Sequence, residues 1–164
     1  MPVTIGIDPG LTGAVARIGF VDIELSGPGY RVWDTPTAKD GKHTVLLPRE
    51  MRKILLDAIS GYEHIIFIER VHAMPRQGVA SSFNFGMGYG MWIGLINGLG
   101  LRLETVTPNA WKKLMMAGMP KEKDASRIRA QELFPEAELH LKKHGGRADA
   151  LLIAEAGRRL VGHA

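Results

Sequence analysis

Between His64 and Glu69 the chain reads Ile65-Ile66-Phe67-Ile68, four apolar residues with no polar alternate. A strand of that composition has to be covered on both faces, as in a sheet clad by helices on either side. This stretch restricts the chain to an α/β class. Glu69 continues the two-residue repeat of Ile65 and Phe67, so its carboxylate stands at the sheet edge of the interior. A lone buried charge is expensive. Glu69 therefore either meets a base, Arg70 being nearest in sequence, or takes part in chemistry.

The rest of the chain supplies the other parts of such a fold. Strands are predicted over 3–8, 14–20, 30–34 and 101–106, with Ser26-Gly27-Pro28-Gly29 as a turn. The polar stretch 37–43 reads as a loop. A helix opens at Pro48 and stops at Gly61, with Met51, Ile54, Leu55 and Ala58 as its apolar stripe. Residues 72–78 read as a polar loop. Thr107-Pro108 caps a helix over 109–116, and a further helix is predicted over 121–134, closed by Pro135. The last helix follows His144-Gly145-Gly146, read as a flexible approach.

Residues 79–101 contain no charged side chain. Ser81, Ser82, Asn84, Asn97 and frequent glycine keep the stretch from reading as a membrane span. Gly86, Gly90, Gly94 and Gly98 recur every fourth residue and form one smooth stripe on a helix. Such a stripe lets another element approach closely, either in the core or at a subunit interface.

A chain of 164 residues with 45% hydrophobic content suits one compact domain over 1–164. The absence of cysteine excludes disulfides, zinc-thiolate sites and cysteine nucleophiles. Met1-Pro2-Val3-Thr4 lacks the basic and apolar regions of a signal peptide, so a cytoplasmic location is expected. The net charge of +4 and pI of about 9.5 favour an anionic partner, nucleic acid first.

Two more carboxylates stand out. Asp8 ends the apolar run Thr4-Ile5-Gly6-Ile7, just before the break at Pro9-Gly10. It serves either the turn or a ligand close to the backbone. Asp149 shares a helical stripe with Leu152, Ile153, Ala156 and Leu160, aimed at the sheet rather than at water. Helix-dipole placement is the alternative role for it. Glu155 falls off that stripe and is expected in solvent. Lys112, Lys113, Lys121, Lys123, Arg127 and Arg129 form a basic cluster, either a solvated face or a phosphate contact. Three converging acids repel one another unless cations lie between them, and oxygen donors suit Mg²⁺ or Mn²⁺. Two such ions can activate a water and stabilise the leaving oxygen of a phosphodiester.

Ile7-Asp8-Pro9-Gly10-Leu11-Thr12-Gly13-Ala14, Ile68-Glu69-Arg70-Val71 and Arg147-Ala148-Asp149-Ala150-Leu151-Leu152-Ile153-Ala154 together resemble the RuvC-type Holliday junction resolvases of the RNase H-like superfamily. The resemblance covers most of the chain. Arg76-Gln77-Gly78, Ser81-Ser82 and Phe85-Gly86 fall where that family has a DNA-contacting loop and long helix. Thr107-Pro108-Asn109-Ala110-Trp111-Lys112 resembles its next strand-to-helix motif. The resemblance implies a mixed five-stranded sheet, its first three strands antiparallel and the additions parallel, with helices on both faces. It also implies a homodimer that resolves four-way DNA junctions by paired symmetric nicks, using two Mg²⁺ or Mn²⁺ ions per active site. Asp8, Glu69 and Asp149 would be the metal ligands and, with Lys112 and Lys123 near the scissile phosphate, the catalytic set. DNA contacts would come from His72, Arg76, Gln77, Ser81, Lys112, Lys113, Lys121, Lys123 and Arg127.

Two positions depart from the family. Gly146 stands where a fourth metal-site Asp or His is usual, and His144 is the nearest substitute. His72 replaces an aromatic wedge, although an imidazole can also stack on a base. A compact chain with these changes is similar to phage-encoded members, which would act in the host cytoplasm. Two other functions are compatible with parts of the pattern. One is a branched-DNA binding protein that does not cut. The other is an actin-like phosphotransferase, which shares an Asp-x-Gly loop but needs two lobes.

Overall fold

A computed structural model describes residues 3–19, 29–59, 63–72 and 78–162. Its centre is a five-stranded mixed sheet in the order β3-β2-β1-β6-β7. The strands are β1 (Val3–Asp8), β2 (Ala14–Ile18), β3 (Tyr30–Asp34), β6 (His64–Glu69) and β7 (Leu103–Val106). β1, β2 and β3 pair antiparallel, and β6 and β7 are added in parallel. Helices α1 (Pro48–Ile59) and α2 (Val79–Gly98) cover one face; α3 (Pro108–Met115), α4 (Ala125–Leu133) and α5 (Gly145–Gly162) cover the other.

The doubly buried strand behaves as its composition requires. Ile66 and Ile68 pack with Met51, Leu55, Trp92 and Ile96 beneath α1 and α2. Ile65 and Phe67 pack on the opposite face with Leu152, Ile153 and Ala156 of α5. The same alternation in β1 sends Val3, Ile5 and Ile7 toward α1 and α2. Thr4, Gly6 and Asp8 are left facing α5. Gly6 has to be glycine, because a Cβ there would collide with the backbone of Ala150 and Ala154.

Several expectations are corrected. Residues 37–43 are not a loop: β4 (Thr37–Asp40) and β5 (His43–Leu46) pair antiparallel as a separate two-stranded sheet. Gly41, at φ +58°, makes the turn between them. Alternating burial is nearly absent along this ribbon, so its sequence carries no strand period. The helix expected from 121 begins at Ala125, leaving Lys121 and Lys123 in the preceding connection. Gly145 and Gly146 are not a flexible approach but the first residues of α5, after a single 3₁₀ turn over Lys142–His144. Glu155 is buried rather than solvated, and its carboxylate accepts from both Arg158 and Arg159. The glycine stripe of α2 does not pack into the core: a Cβ at Gly86, Gly90, Gly94 or Gly98 would meet nothing within 4 Å. β2 stops at Ile18; Phe20 and Ser26 to Pro28 of the expected turn lie outside the described residues.

Candidate metal centre

Asp8 and Glu69 end neighbouring parallel strands. Ile7 pairs with Ile68, so the two acids come next in register, about 4.8 Å apart between strand axes. Both belong to the sheet face that α5 covers. Asp149 lies in the second turn of α5, directly before Ala150, whose carbonyl sits over Gly6. Beyond Asp8 the chain reverses tightly, with Gly13 N–H donating to Gly10 O at 2.9 Å and Gly10 N–H to Asp8 Oδ1 at 3.4 Å.

The three carboxylates act on one another. Burial raises the Asp8 pKa to about 7, with Asp149 and then Glu69 adding repulsion, against the Gly10 amide and Lys112, which lower it. Burial likewise raises Asp149 to about 6; the nearby Ser126 hydroxyl and Lys112 oppose the shift, and Glu69 adds to it. Lys112 is thus the cation whose charge reaches both aspartates. Asp149 Oδ1 is buried and has no hydrogen-bond partner.

Glu69 answers the question of its partner differently from expectation. The indole N–H of Trp111, not Arg70, donates to Glu69 Oε1 at 2.8 Å. Trp111 is buried, and Thr107 Oγ1 caps its helix by accepting from Ala110 N–H at 3.2 Å. That cap sets Trp111 under Glu69 and carries Lys112 to the acids. Trp111 and Ser126 were missed as site residues. The signal for Trp111 was present: a buried indole needs an acceptor, and one carboxylate ended the strand beside it. Ser126 carried no such signal.

The other expected residues are placed elsewhere. His144 is buried at the start of α5, and its Nδ1 accepts from Leu141 N–H at 3.4 Å. Its charged neighbours are Arg147, His140, Lys143 and Asp34, none of the three acids. Ala14 pairs with both Asp8 and Asp34, so Asp34 is two strands from Asp8, roughly 10 Å. The charges that act on His144 are thus those of Asp34 and neighbouring basic groups rather than those of the three acids. Gly146 is glycine for a packing reason, since a Cβ would strike the carbonyl of Thr12. Arg127 turns inward, donating to Leu139 O at 3.1 Å and pairing with Asp124, so it is not a free DNA contact. Lys113, Lys121, Lys123, His72 and Ser81 are exposed. Arg76 and Gln77 lie outside the described residues.

An all-oxygen donor set, an orphaned buried carboxylate oxygen and mutual repulsion fit a hard divalent cation such as Mg²⁺ or Mn²⁺. Among the described residues, however, no three His, Asp or Glu side chains are gathered into a ready-made ligand group. The acids share one electrostatic space without closing on one point, and Glu69 is held by Trp111.

No family model matches the chain. Over its full length it superposes on Thermus thermophilus RuvC in complex with a Holliday junction substrate, with a TM-score of 0.61 at 16% identity, covering 97% of that chain. A second Thermus thermophilus RuvC structure gives a TM-score of 0.59 at 16% identity, over 98% of this chain and 96% of that one. The fold is that of RuvC. In sequence, 109 residues are 35% identical to the chloroplastic Holliday junction resolvase MOC1 of Chlamydomonas reinhardtii. The match takes in 65% of this chain and spans 12% of that protein. On the RuvC fold, the three acids sit at the ends of the two central parallel strands and in the helix laid across them.

Proposed function

We propose that the chain is a divalent-metal-dependent endonuclease that resolves four-way DNA junctions by paired, symmetric nicks. The mutual repulsion of Asp8, Glu69 and Asp149 on one face of a RuvC fold is the observation that carries this reading. The likeness to MOC1 and to RuvC seated on a junction supports the choice of substrate. Asp8, Glu69 and Asp149 would hold two Mg²⁺ or Mn²⁺ ions, which when bound supply an activated water and stabilise the leaving oxygen. Asp8 and Asp149 must be deprotonated to serve as ligands. Trp111 fixes the Glu69 carboxylate until it is recruited. Lys112, whose charge acts on both aspartates, would meet the scissile phosphate. Lys123, Lys121, Lys113, His72 and Ser81 are assigned to the DNA-facing surface, as are Arg76 and Gln77, which lie between His72 and Ser81 in the sequence.

We assign the outward glycine stripe of α2, flanked by exposed Val79, Phe83 and Met87, to a homodimer interface that matches the two-fold junction. Light scattering at working concentration should give about twice 18.0 kDa; a species of 18.0 kDa alone overturns the dimer. No described helix is long and apolar enough to cross a membrane. We place this single domain in the cytoplasm, that of the host if it is one of the phage-encoded members that His72 and Gly146 resemble.

A labelled four-way junction with Mg²⁺ or Mn²⁺ tests the activity. The wild type should release symmetric nicked products, and Asp8→Asn should bind the junction without nicking it. Cleavage retained by Asp8→Asn refutes the site. The missing three-ligand group favours a second reading, a junction-binding protein that does not cut. A shifted band with no nicked product in any metal would establish that reading instead.

A further inference from the structure

The β4–β5 ribbon is unexplained by the site or by the core. It forms a sheet of its own, and Thr37, Lys39, Asp40, Gly41, Lys42 and His43 are all exposed. A free-standing pair of strands is marginal in water. The base of the ribbon is where it is anchored. Leu46 is buried at Gly88 of α2, where a Cβ would lie 3.2 Å from both Leu46 Cδ1 and Pro9 O. Leu47 N–H donates to Pro36 O at 3.0 Å. The anchor therefore packs on the α2 side of the sheet and adjoins Pro9, the residue after Asp8.

The ribbon itself holds Lys39 and Lys42 against Asp40, and the first two turns of α1, next in sequence, add Arg49, Arg52 and Lys53 against Glu50. Lys53 is paired with Glu50. Lys39 Nζ donates across the ribbon to Thr44 Oγ1 of its paired strand at 2.8 Å, a bond that leaves the ammonium charge unneutralised. Lys42 occupies the two-residue turn inside the Asp40–His43 pair.

We propose that the hairpin Thr37–Leu46 is a clamp for the phosphate backbone of a DNA arm beside the cleavage site, with Lys39 and Lys42 as its contacts. This rests on the junction-nuclease reading and adds a binding element to it. A two-stranded ribbon has dimensions that a duplex groove admits. Two lysines at the end of the ribbon suit backbone contact rather than base readout.

The test compares Lys39→Gln/Lys42→Gln with its parent, both in the Asp8→Asn background so that junction binding is read without cleavage. Each lost phosphate contact lowers the slope of log affinity against log salt by about 0.9, so the double variant should be shallower by about 1.8 and bind several-fold more weakly. Arg102→Gln removes a charge at the opposite end of the sheet and should leave both quantities unchanged. Hydrogen exchange on the Asp8→Asn protein should show amides of 37–46 gaining protection when junction is added. A double variant with the parent's affinity and slope, or a ribbon whose exchange ignores the junction, overturns the clamp. If the Asp8→Asn parent binds no branched DNA, the nuclease reading fails first and the clamp falls with it.

Discussion

Two long helices flank the sheet, and both are rich in glycine, but they use it in opposite ways. α5 crosses β1 and β2 with almost every residue from Ala148 to Gly157 buried. Its Gly146 and Gly157 lie against Thr12 O and the Phe67 ring, where a Cβ has no room. α2 buries Gly88, Trp92 and Ile96 on one side and turns four glycines to open space on the other. Glycine in the first helix permits contact inside the chain. In the second it costs helix stability with nothing in the protomer to offset it, which is intelligible when a second protomer fills the gap.

The largest effect expected from breaking this contrast is at α5. Gly146→Ala forces the first turn off Thr12 and should cost upwards of about 3 kcal/mol, read as a fall in the urea midpoint. The same substitution on the other helix should have the opposite sign. Gly90→Ala meets no neighbour and should stabilise the isolated protomer by about 1 kcal/mol. Gly90→Glu should abolish the dimer in light scattering while leaving the far-UV spectrum intact.

The α5 side also carries like charge. A carboxyl whose folded pKa is raised stabilises the fold fully below its ordinary value of 3.8, and that contribution is lost as pH rises through about 7 for Asp8. Asp8→Asn removes the penalty. Its melting temperature relative to wild type should therefore rise between pH 4 and pH 8 in metal-free buffer. Mg²⁺ should raise the wild-type melting temperature at pH 8 and scarcely at pH 5, where protons occupy the same oxygens. Unequal responses of the two proteins to Mg²⁺ distinguish binding at Asp8 from a general salt effect.

A smaller effect belongs to Trp111→Phe, which keeps the ring packing and removes the bond to Glu69. A hydrogen bond to a charged group contributes about 1.5–3 kcal/mol, so stability should drop by up to that amount in the urea midpoint. Cleavage should then require less metal for half-maximal rate, because Glu69 no longer has to leave the indole to bind it, with the rate at saturation nearly preserved.

The central strands and the three acids were legible because burial imposes a period. Ile65 to Ile68 could only be covered on both faces, and Glu69 and Asp149 inherited their direction from apolar neighbours. The ribbon at 37–46 was not legible, since cross-strand pairing around Gly41 holds it and side-chain burial hardly contributes. Glu155 was misjudged because Arg158 and Arg159 neutralise it from the next turn, a pairing that lets a charge enter a buried face. His144 looked available beside two glycines. Those glycines are helical, and the Nδ1 of the ring accepts from Leu141 N–H.

The contact between Gly146 and the carbonyl of Thr12 sets main chain directly against main chain. With Gly6 under Ala150, it fixes how far the Asp149 backbone stands from the turn after Asp8 without help from any variable side chain. Under random mutagenesis, surrounding core positions such as Ile153 or Met115 should accept many apolar replacements, while Gly6 and Gly146 should accept almost none. Sequence drift in the hydrophobic interior can then proceed without altering the spacing of the acids.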